Sequence, residues 1–254
     1  MAESTKQPML KILHTADVHL DCDSYSDRDQ REAQRSQYRH AFQSVIDCAI
    51  DEAVDLLLIA GDLFDHNRVP DETLAFVQDQ FQRLSQPAII LPGNHDCLCT
   101  GSIYDRYDFS AACDHVQVIT HLNGQMIELP ELNAVIWGRA MEEHEPGFHP
   151  LEHIPRRFDG RWHIAMAHGF FFDSPQFADR SSPIFAEEIR DTGWDYVAMG
   201  HIHVLSDRSQ GDVTAYYSGA SLVNWTGEQP EGHVLMLECT PDQGVKVHPR
   251  PLAI

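Results

Sequence analysis

Basic residues, long apolar runs and any cysteine pattern are all missing or scarce in this chain, and each shortage removes a class of protein. Lys and Arg number 18 against 39 Asp and Glu, a formal charge of -21. That is the reverse of the basic footprint that lets a protein grip nucleic acid unaided. No apolar stretch nears the roughly 20 residues of a membrane span, and Met1 to Pro8 is polar, without a signal-peptide core. The six cysteines, Cys22, Cys48, Cys97, Cys99, Cys113 and Cys239, show no disulfide framework and read as reduced thiols. A cytoplasmic protein without membrane contact is expected. Internal repeats and low-complexity linkers are absent too. With 254 residues, 43% of them hydrophobic, the chain can bury a full core, and a single domain over 1–254 is expected.

What is present is a series of five short segments rich in metal-ligating and proton-transferring side chains. They are Asp17-Val18-His19, Gly61-Asp62-Leu63-Phe64-Asp65, Gly93-Asn94-His95-Asp96, His168-Gly169 and Gly200-His201-Ile202-His203. Each follows a run that reads as a buried strand: Leu10 to Thr15, Asp55 to Ala60, Pro87 to Leu91, Trp162 to Ala167 and Tyr196 to Met199. Open α/β sheets bind ligands beyond the carboxyl ends of their strands, so five such loops can converge on one site.

Helical patterns cover Arg31 to Ala53 and Asp71 to Leu84. Further strands are expected at Val116 to Thr120, Gln125 to Leu129, Asn133 to Trp137, Val213 to Tyr217, His233 to Glu238 and Val245 to Pro249. Several lie too close together for intervening helices. The pattern predicts an α/β fold, a mixed two-sheet β-sandwich flanked by helices. Two irregular stretches, Asp21 to Gln30 and Met141 to Gly160, are candidates for shaping a substrate groove.

Carboxylate, imidazole and amide oxygen together suit borderline divalent ions such as Mn²⁺, Fe²⁺ or Zn²⁺, and no thiolate set suggests a structural zinc site. Two ions roughly 3.5 to 4 Å apart need a bridging ligand; an aspartate can supply it with its two oxygens, and Asp62 is the candidate. Such a pair can hold phosphate oxygens, lower the pKa of a water and stabilise charge on the attacking and leaving oxygens. Phosphoester hydrolysis by water is the chemistry this predicts.

These five segments, in this order, resemble the calcineurin-like metallophosphoesterase superfamily, over nearly the whole chain from Leu10 to about Leu252. The resemblance implies one ion held by Asp17, His19, Asp62 and His203 and a second by Asp62, Asn94, His168 and His201. It also implies His95 as the general acid for the leaving oxygen and Asp65 as the residue that orients it. Within the superfamily, the sequence is similar to the SbcD-type, Mre-like DNA-repair nucleases. The segments that carry this are His14 to Asp21, Gly61 to Asp65, Gly200 to His203 and Tyr217-Ser218-Gly219-Ala220. Two features depart from that group. Many archaeal and eukaryotic relatives carry a histidine at the position of Asp65, while bacterial forms often have the aspartate. SbcD-type proteins also continue into a DNA-capping domain and an ATPase-docking segment, whereas this sequence ends at Ile254. A catalytic domain without a cap is therefore expected, with any DNA grip supplied by an ATPase or DNA-binding partner.

The remaining candidates are less tied to a motif. Arg28, Arg31, Arg35 and Arg39 would form one helix stripe, either touching a nucleic acid backbone or solvated among Asp29 and Glu32. Arg31 and Arg35 are the candidate substrate contacts, together with His66 beside Asp65. A second basic group is Arg156, Arg157 and Arg161. Of the sixteen histidines, His14 reads as a buried hydrogen-bonded support for the ligands. His144, His149 and His153, set among prolines and Gly147 that forbid a regular helix, read as surface residues. Phe170, Phe171, Phe172 and Phe177 could stack on a base, pack in the core or form a lid. Cys97 and Cys99 could meet a metal only by position. Three functions follow: a metal-dependent phosphodiesterase or DNA nuclease of SbcD type, a phosphohydrolase for small nucleotides or other small phosphoesters, and a non-catalytic scaffold of the same fold.

Overall fold

The computed structural model describes residues 7–222, 232–252 and 254, and it leaves the Phe177 side chain outside the description. The first half runs β1 (Leu10–Thr15), α1 (Arg28–Asp51), β2 (Leu56–Ala60), α2 (Asp71–Phe81), β3 (Ala88–Leu91), α3 (Ile103–Arg106), α4 (Phe109–Ala112), β4 (Val116–Val118), β5 (Gln125–Leu129) and β6 (Ala134–Gly138). The second runs β7 (Trp162–His168), β8 (Phe170–Phe172), β9 (Pro183–Phe185), α5 (Ala186–Thr192), β10 (Tyr196–Gly200), β11 (Ser206–Asp207), β12 (Thr214–Tyr217), β13 (His233–Thr240) and β14 (Gly244–Pro251).

Two mixed six-stranded sheets, in the orders β14-β13-β1-β2-β3-β4 and β11-β12-β10-β7-β6-β5, pack face to face. The strand period of two decides which residues meet between them. Ile12, Leu56, Leu58, Ile89 and Leu91 point inward from the first sheet against Ile136, Ile164, Met166 and Ala198 of the second. Their alternates Leu13, Leu57, Ile59 and Ile90 turn outward against Phe42, Val45 and Ile46 of α1 and Val77 and Phe81 of α2. On the far side, Ala165, Val197 and Met199 pack against Ile189 and Trp194. With both faces covered, β2, β6, β7 and β10 are buried along their whole length, which is why they read as continuous apolar runs rather than alternating ones.

The boundaries differ from expectation where side chains intervene. α1 starts at Arg28 and takes the last part of the stretch expected to be irregular, because the Asp27 carboxylate accepts from the backbone N–H groups of Asp29 and Gln30 at 3.1 and 3.0 Å. β2 starts at Leu56, since Asp55 turns its carboxylate to accept from the Lys11 N–H at 2.8 Å. The seven-residue α5 went unforeseen. Glu188 accepts from the Phe185 N–H at 2.8 Å and Gly193 closes the helix in a left-handed conformation, a device too short to leave an amphipathic period.

β1, β2 and β3 are adjacent and parallel, as are β7 and β10. Their carboxyl ends therefore open on the same edge of the sandwich. The His168 ring ties the two sheets there, donating from Nδ1 to the Ala60 carbonyl at 2.9 Å.

Candidate metal centre

The loops that leave these strand ends turn at once, and the turns are made by the site residues themselves. Asp17, His19, Asp62 and His201 all have positive φ, at 53°, 52°, 53° and 97°. Non-glycine residues occupy that region at a cost of about 1 to 3 kcal/mol each, and such strain gathers at functional sites. Backbone hydrogen bonds lock the turns together, Asp17 N–H to Gly61 O and His19 N–H to Asp62 O, both at 3.0 Å. Gly61, at φ 98°, lies so close to the His168 ring that a Cβ would fall 1.9 Å from its Nδ1. A Cβ on Gly93 would fall 2.2 Å from Asp62 Oδ1. Both glycines are demanded by close approach.

Among the described residues three groups of side chains bring ligand atoms together: Asp17, His19 and His203; Asp62, His168 and His201; and, sharing His19 with the first, His19, Asp65 and His95. In the first, His19 Nε2 and His203 Nε2 are 3.1 Å apart, and His203 Nε2 is 3.8 Å from Asp17 Oδ1. In the second, Asn94 Oδ1 lies 3.0 Å from His168 Nε2 and 2.8 Å from His201 Nδ1. Neighbouring ligands on an ion with bonds of about 2.1 Å sit about 3 Å apart, so these separations fit a shared cation. The donor chemistry fits too. Asp17 and Asp62 are each 1% exposed, and no Lys or Arg pairs with either among the described residues. With Nδ1 donating to a carbonyl, His168 has Nε2 directed to the centre, the arrangement usual for a ligating histidine.

Asp62 joins the first two groups. Its Oδ2 is 3.2 Å from His168 Nε2 and 3.9 Å from His19 Nε2. Its Oδ1 accepts from the His95 backbone N–H at 2.8 Å. The sequence suggested bridging by both oxygens; here one oxygen faces both groups because a backbone amide holds the other.

The family model for calcineurin-like phosphoesterases matches residues 10–205. The chain belongs to the calcineurin-like phosphoesterase family. This calcineurin-like phosphoesterase is similar to the uncharacterized metallophosphoesterase YhaO of Bacillus subtilis, with 30% identity over 240 residues, 83% of this chain and 52% of YhaO. It is also similar to the DNA double-strand break repair protein Mre11 of Haloferax volcanii, 25% identical over 252 residues, 92% of this chain and 50% of that one. The Mre11 of Saccharolobus solfataricus is 34% identical over 244 residues, 89% of this chain and 58% of its own. The chain spans about half the length of the curated relatives it matches. A crystal structure of TT1561 of Thermus thermophilus shares the fold, with TM-score 0.57 at 10% identity over 95% of this chain and 99% of that one. The family is one of metal-dependent phosphoesterases, and the described residues of this chain include His and Asp groups able to hold metal.

The electrostatics of this phosphoesterase site are set by burial. Burial pushes the Asp17 carboxyl up to about 6, opposed by His168 and reinforced by Asp62. Burial would raise Asp62 as well, but the charges of His168, His19 and His95 hold it below the carboxylate range. For His168 burial is outweighed by Asp62, which lifts the imidazole to about 9. Burial lowers His201 to about 3 and His203 to about 4.

Around this pair, the other expected site residues separate. His95 packs on His19 with ring centroids 4.6 Å apart and donates from Nδ1 to the Asp65 backbone carbonyl at 2.8 Å. The Asp65 carboxylate is nearer His19 than His95, at 3.1 Å against 3.6 Å. Arg35 reaches Asp21 at 3.2 Å and Arg31 reaches Asp23 at 3.6 Å. Arg28 and Arg39 pair with Glu32 and Glu72, so the whole basic stripe is matched by carboxylates. His66 Nε2 is 3.8 Å from Asp21. His14 is buried with Nδ1 2.9 Å from the Tyr196 hydroxyl, joining the two sheets rather than touching a ligand. Phe170 packs edge-on against His201 at 4.2 Å. Cys97 and Cys99 line a cavity beside Asn94 and join none of the ligand groups.

Two contributors escaped the sequence. Asp96 is fully buried and accepts from Gly93 N–H at 2.7 Å, Phe64 N–H at 3.2 Å and the Tyr104 hydroxyl at 2.8 Å, which clamps the Asn94 loop to the Asp62 loop. Its place in the Gly-Asn-His-Asp segment was the available signal. His144 is not the surface residue expected. It is half-buried, 5.0 Å from the His201 ring, with Nδ1 2.9 Å from Ser182 Oγ. His153 does lie at the surface. No local pattern distinguishes the two, because the path of the 141–160 loop decides. The Tyr217 to Ala220 segment buttresses the site: Ala220 N–H donates to the His203 carbonyl at 3.2 Å, and the Tyr217 hydroxyl to the Gly169 carbonyl at 2.6 Å.

Proposed function

We propose that the chain is a two-metal phosphodiesterase in which Asp17, His19, Asp62 and His203 hold one ion and Asp62, Asn94, His168 and His201 the other. The observation that carries this reading is Asp62 Oδ2, within 3.2 Å of His168 Nε2 and 3.9 Å of His19 Nε2, one oxygen facing both groups. Divalent ions bound there would supply Lewis acidity toward the phosphoryl oxygens and acidify a water. His95 donates a proton to the leaving oxygen. The Asp65 backbone carbonyl accepts a hydrogen bond from Nδ1–H, so Nε2 is the atom that faces substrate. Mixed imidazole, carboxylate and amide donors favour Mn²⁺, with Fe²⁺ or Zn²⁺ as alternatives. Free cysteines suit a cytoplasmic setting, and residues 1–254 act as one catalytic domain.

The substrate reading put first is DNA, at ends or in single strands, in the manner of SbcD-type nucleases. The segments shared with them and the Mre11 relatives, DNA double-strand break repair proteins by name, support it. An ATPase or DNA-binding partner then supplies the grip that the ion-paired arginines do not. The net charge of -21 and the ion-paired arginine stripe favour a second reading, small nucleotides or other small phosphoesters. Metal-stripped protein given Mn²⁺ or other ions would be compared on bis-p-nitrophenyl phosphate, cyclic nucleotides and end-labelled DNA. Metal-dependent turnover of the first supports the phosphodiesterase, and DNA cleavage supports the first substrate. Turnover of small diesters alone moves the assignment to the second. No turnover with any ion contradicts the enzyme reading.

A further inference from the structure

A phosphodiester held at this centre must place two substituents somewhere, and the protein offers a cavity beside each ligand group. One of about 280 Å³ is lined by His19 and His203 with Tyr25, Tyr38 and Gln34. The other, of about 720 Å³, opens on Asn94, and this is within the range of small-molecule sites. His95, the proposed proton donor, packs on His19 at 4.6 Å. The leaving group therefore belongs at the His19 end, and the substituent kept on phosphorus is left with the Asn94 end.

The larger cavity has a one-sided charge. Glu142, Glu143 and Glu145 line it from a single loop, and all three are exposed. Its cation, Arg139, is already committed. The guanidinium donates to the Leu122 carbonyl at 2.7 Å, the His149 carbonyl at 2.8 Å and Glu152 at 2.7 Å, and lies 4.7 Å from the centre of the Phe148 ring. The loop is fixed to the centre's surroundings, since Ser182 N–H donates to the Glu145 carbonyl at 3.0 Å and His144 meets both Ser182 and His201. Carboxylates accept hydrogen bonds from hydroxyl and amino groups and repel phosphate.

We propose that this cavity is the subsite for the retained substituent of a phosphodiester, that it takes a hydroxyl- or amine-bearing group of nucleoside size, and that it excludes a group carrying a further phosphate. The inference rests on the two-metal phosphodiesterase reading and narrows its substrate. The scissile bond is then the last of a chain or belongs to a small diester, and internal positions of a polynucleotide are disfavoured. No new reaction step is involved: water adds to phosphorus, the bond to the leaving oxygen breaks, and that oxygen takes a proton.

Two chromogenic substrates isolate the claim, thymidine 5'-(p-nitrophenyl phosphate) and the same molecule with a 3'-phosphate. They share leaving group, nucleoside and scissile bond. Metal-loaded protein should prefer the first in kcat/KM by about 10-fold or more, as like-charge exclusion implies, with the difference in KM. The preference should shrink as salt shortens the Debye length from about 10 to about 3 Å. In Glu142→Gln/Glu143→Gln/Glu145→Gln protein the ratio of the two should fall toward one. The matching triple Glu→Asp variant, which keeps the charge, should hold it. Equal rates on the two substrates, or a preference that survives the triple Gln variant, would overturn the subsite. If wild-type protein fails to hydrolyse bis-p-nitrophenyl phosphate as well, the phosphodiesterase reading itself fails.

Discussion

The Asp65 carboxylate faces His19 Nδ1 at 3.1 Å, while the histidine it was expected to orient, His95, takes the Asp65 backbone carbonyl instead. A carboxylate on the far nitrogen of an imidazole fixes the ring and raises its basicity toward a metal. We propose that the Asp65 carboxylate acts through His19 while its backbone carbonyl holds His95. In Asp65→Asn protein, Mn²⁺ affinity at the site that includes His19 should fall about 10- to 100-fold, the range for lost support of a ligand. Calorimetric titration of metal-stripped protein measures it. Unchanged affinity beside impaired turnover would return Asp65 to His95.

His95 should separate from the ligands in the opposite way. Its ring is 42% exposed and sits over His19 without joining either proposed ion. The His95→Ala protein should keep its metal content while turnover of alkyl phosphodiesters falls about 10² to 10⁴-fold, the range for a lost general acid. With a p-nitrophenolate leaving group, which departs unprotonated, the loss should be smaller. Equal losses on both would mean that His95 positions phosphate.

Asp96 carries three hydrogen bonds that an amide cannot reproduce. In Asp96→Asn, the Phe64 N–H and Tyr104 hydroxyl would face an NH₂ group or the Gly93 N–H would, leaving buried donors unmatched at a cost of about 1 to 3 kcal/mol. Urea denaturation should show that loss, and turnover should drop with it because the Asn94 loop is released. A variant as stable as wild type would refute the clamp.

His14 predicts a pH dependence of stability. Burial lowers its pKa to about 3 from 6.5, so between those values the unfolded chain binds the proton and the folded one does not. Stability from this group is complete above pH 6.5 and is lost as pH falls toward 3. Relative to His14→Gln, metal-free wild-type protein should lose about 2 kcal/mol between pH 6.5 and 4.5. Urea midpoints for both proteins at the two pH values test this. Parallel pH profiles would contradict it.

The reach of sequence reasoning follows from how far each feature depends on distant chain. The ligands stand at the carboxyl ends of buried strands or within four residues beyond them, and strands announce themselves by apolar runs such as Leu56–Ala60. Parallel neighbours then bring those ends together, so the convergence of Asp17, Asp62, Asn94, His168 and His201 was legible. The direction of a side chain within the cluster was not. Asp65 sits in a recognisable segment, yet its choice of His19 over His95 depends on a few tenths of an ångström in three loops. The arginine stripe was legible as a helix face, but its pairing with Asp21, Asp23 and Glu72 arises from the loop before the helix and from a second helix. His144 depends on the course of a long loop tied down by Ser182, which no local period encodes.

The central claim is that one oxygen of Asp62 serves two ions, and crystals grown with Mn²⁺ test it most directly. An anomalous difference map should show two peaks, roughly 3.5 to 4 Å apart, with Asp62 Oδ2 between them, Asp17, His19 and His203 around one and Asn94, His168 and His201 around the other. The same map from Asp62→Asn crystals should lose at least one peak. A single peak in the wild-type protein, or two peaks that persist at full height without the Asp62 carboxylate, would contradict the account.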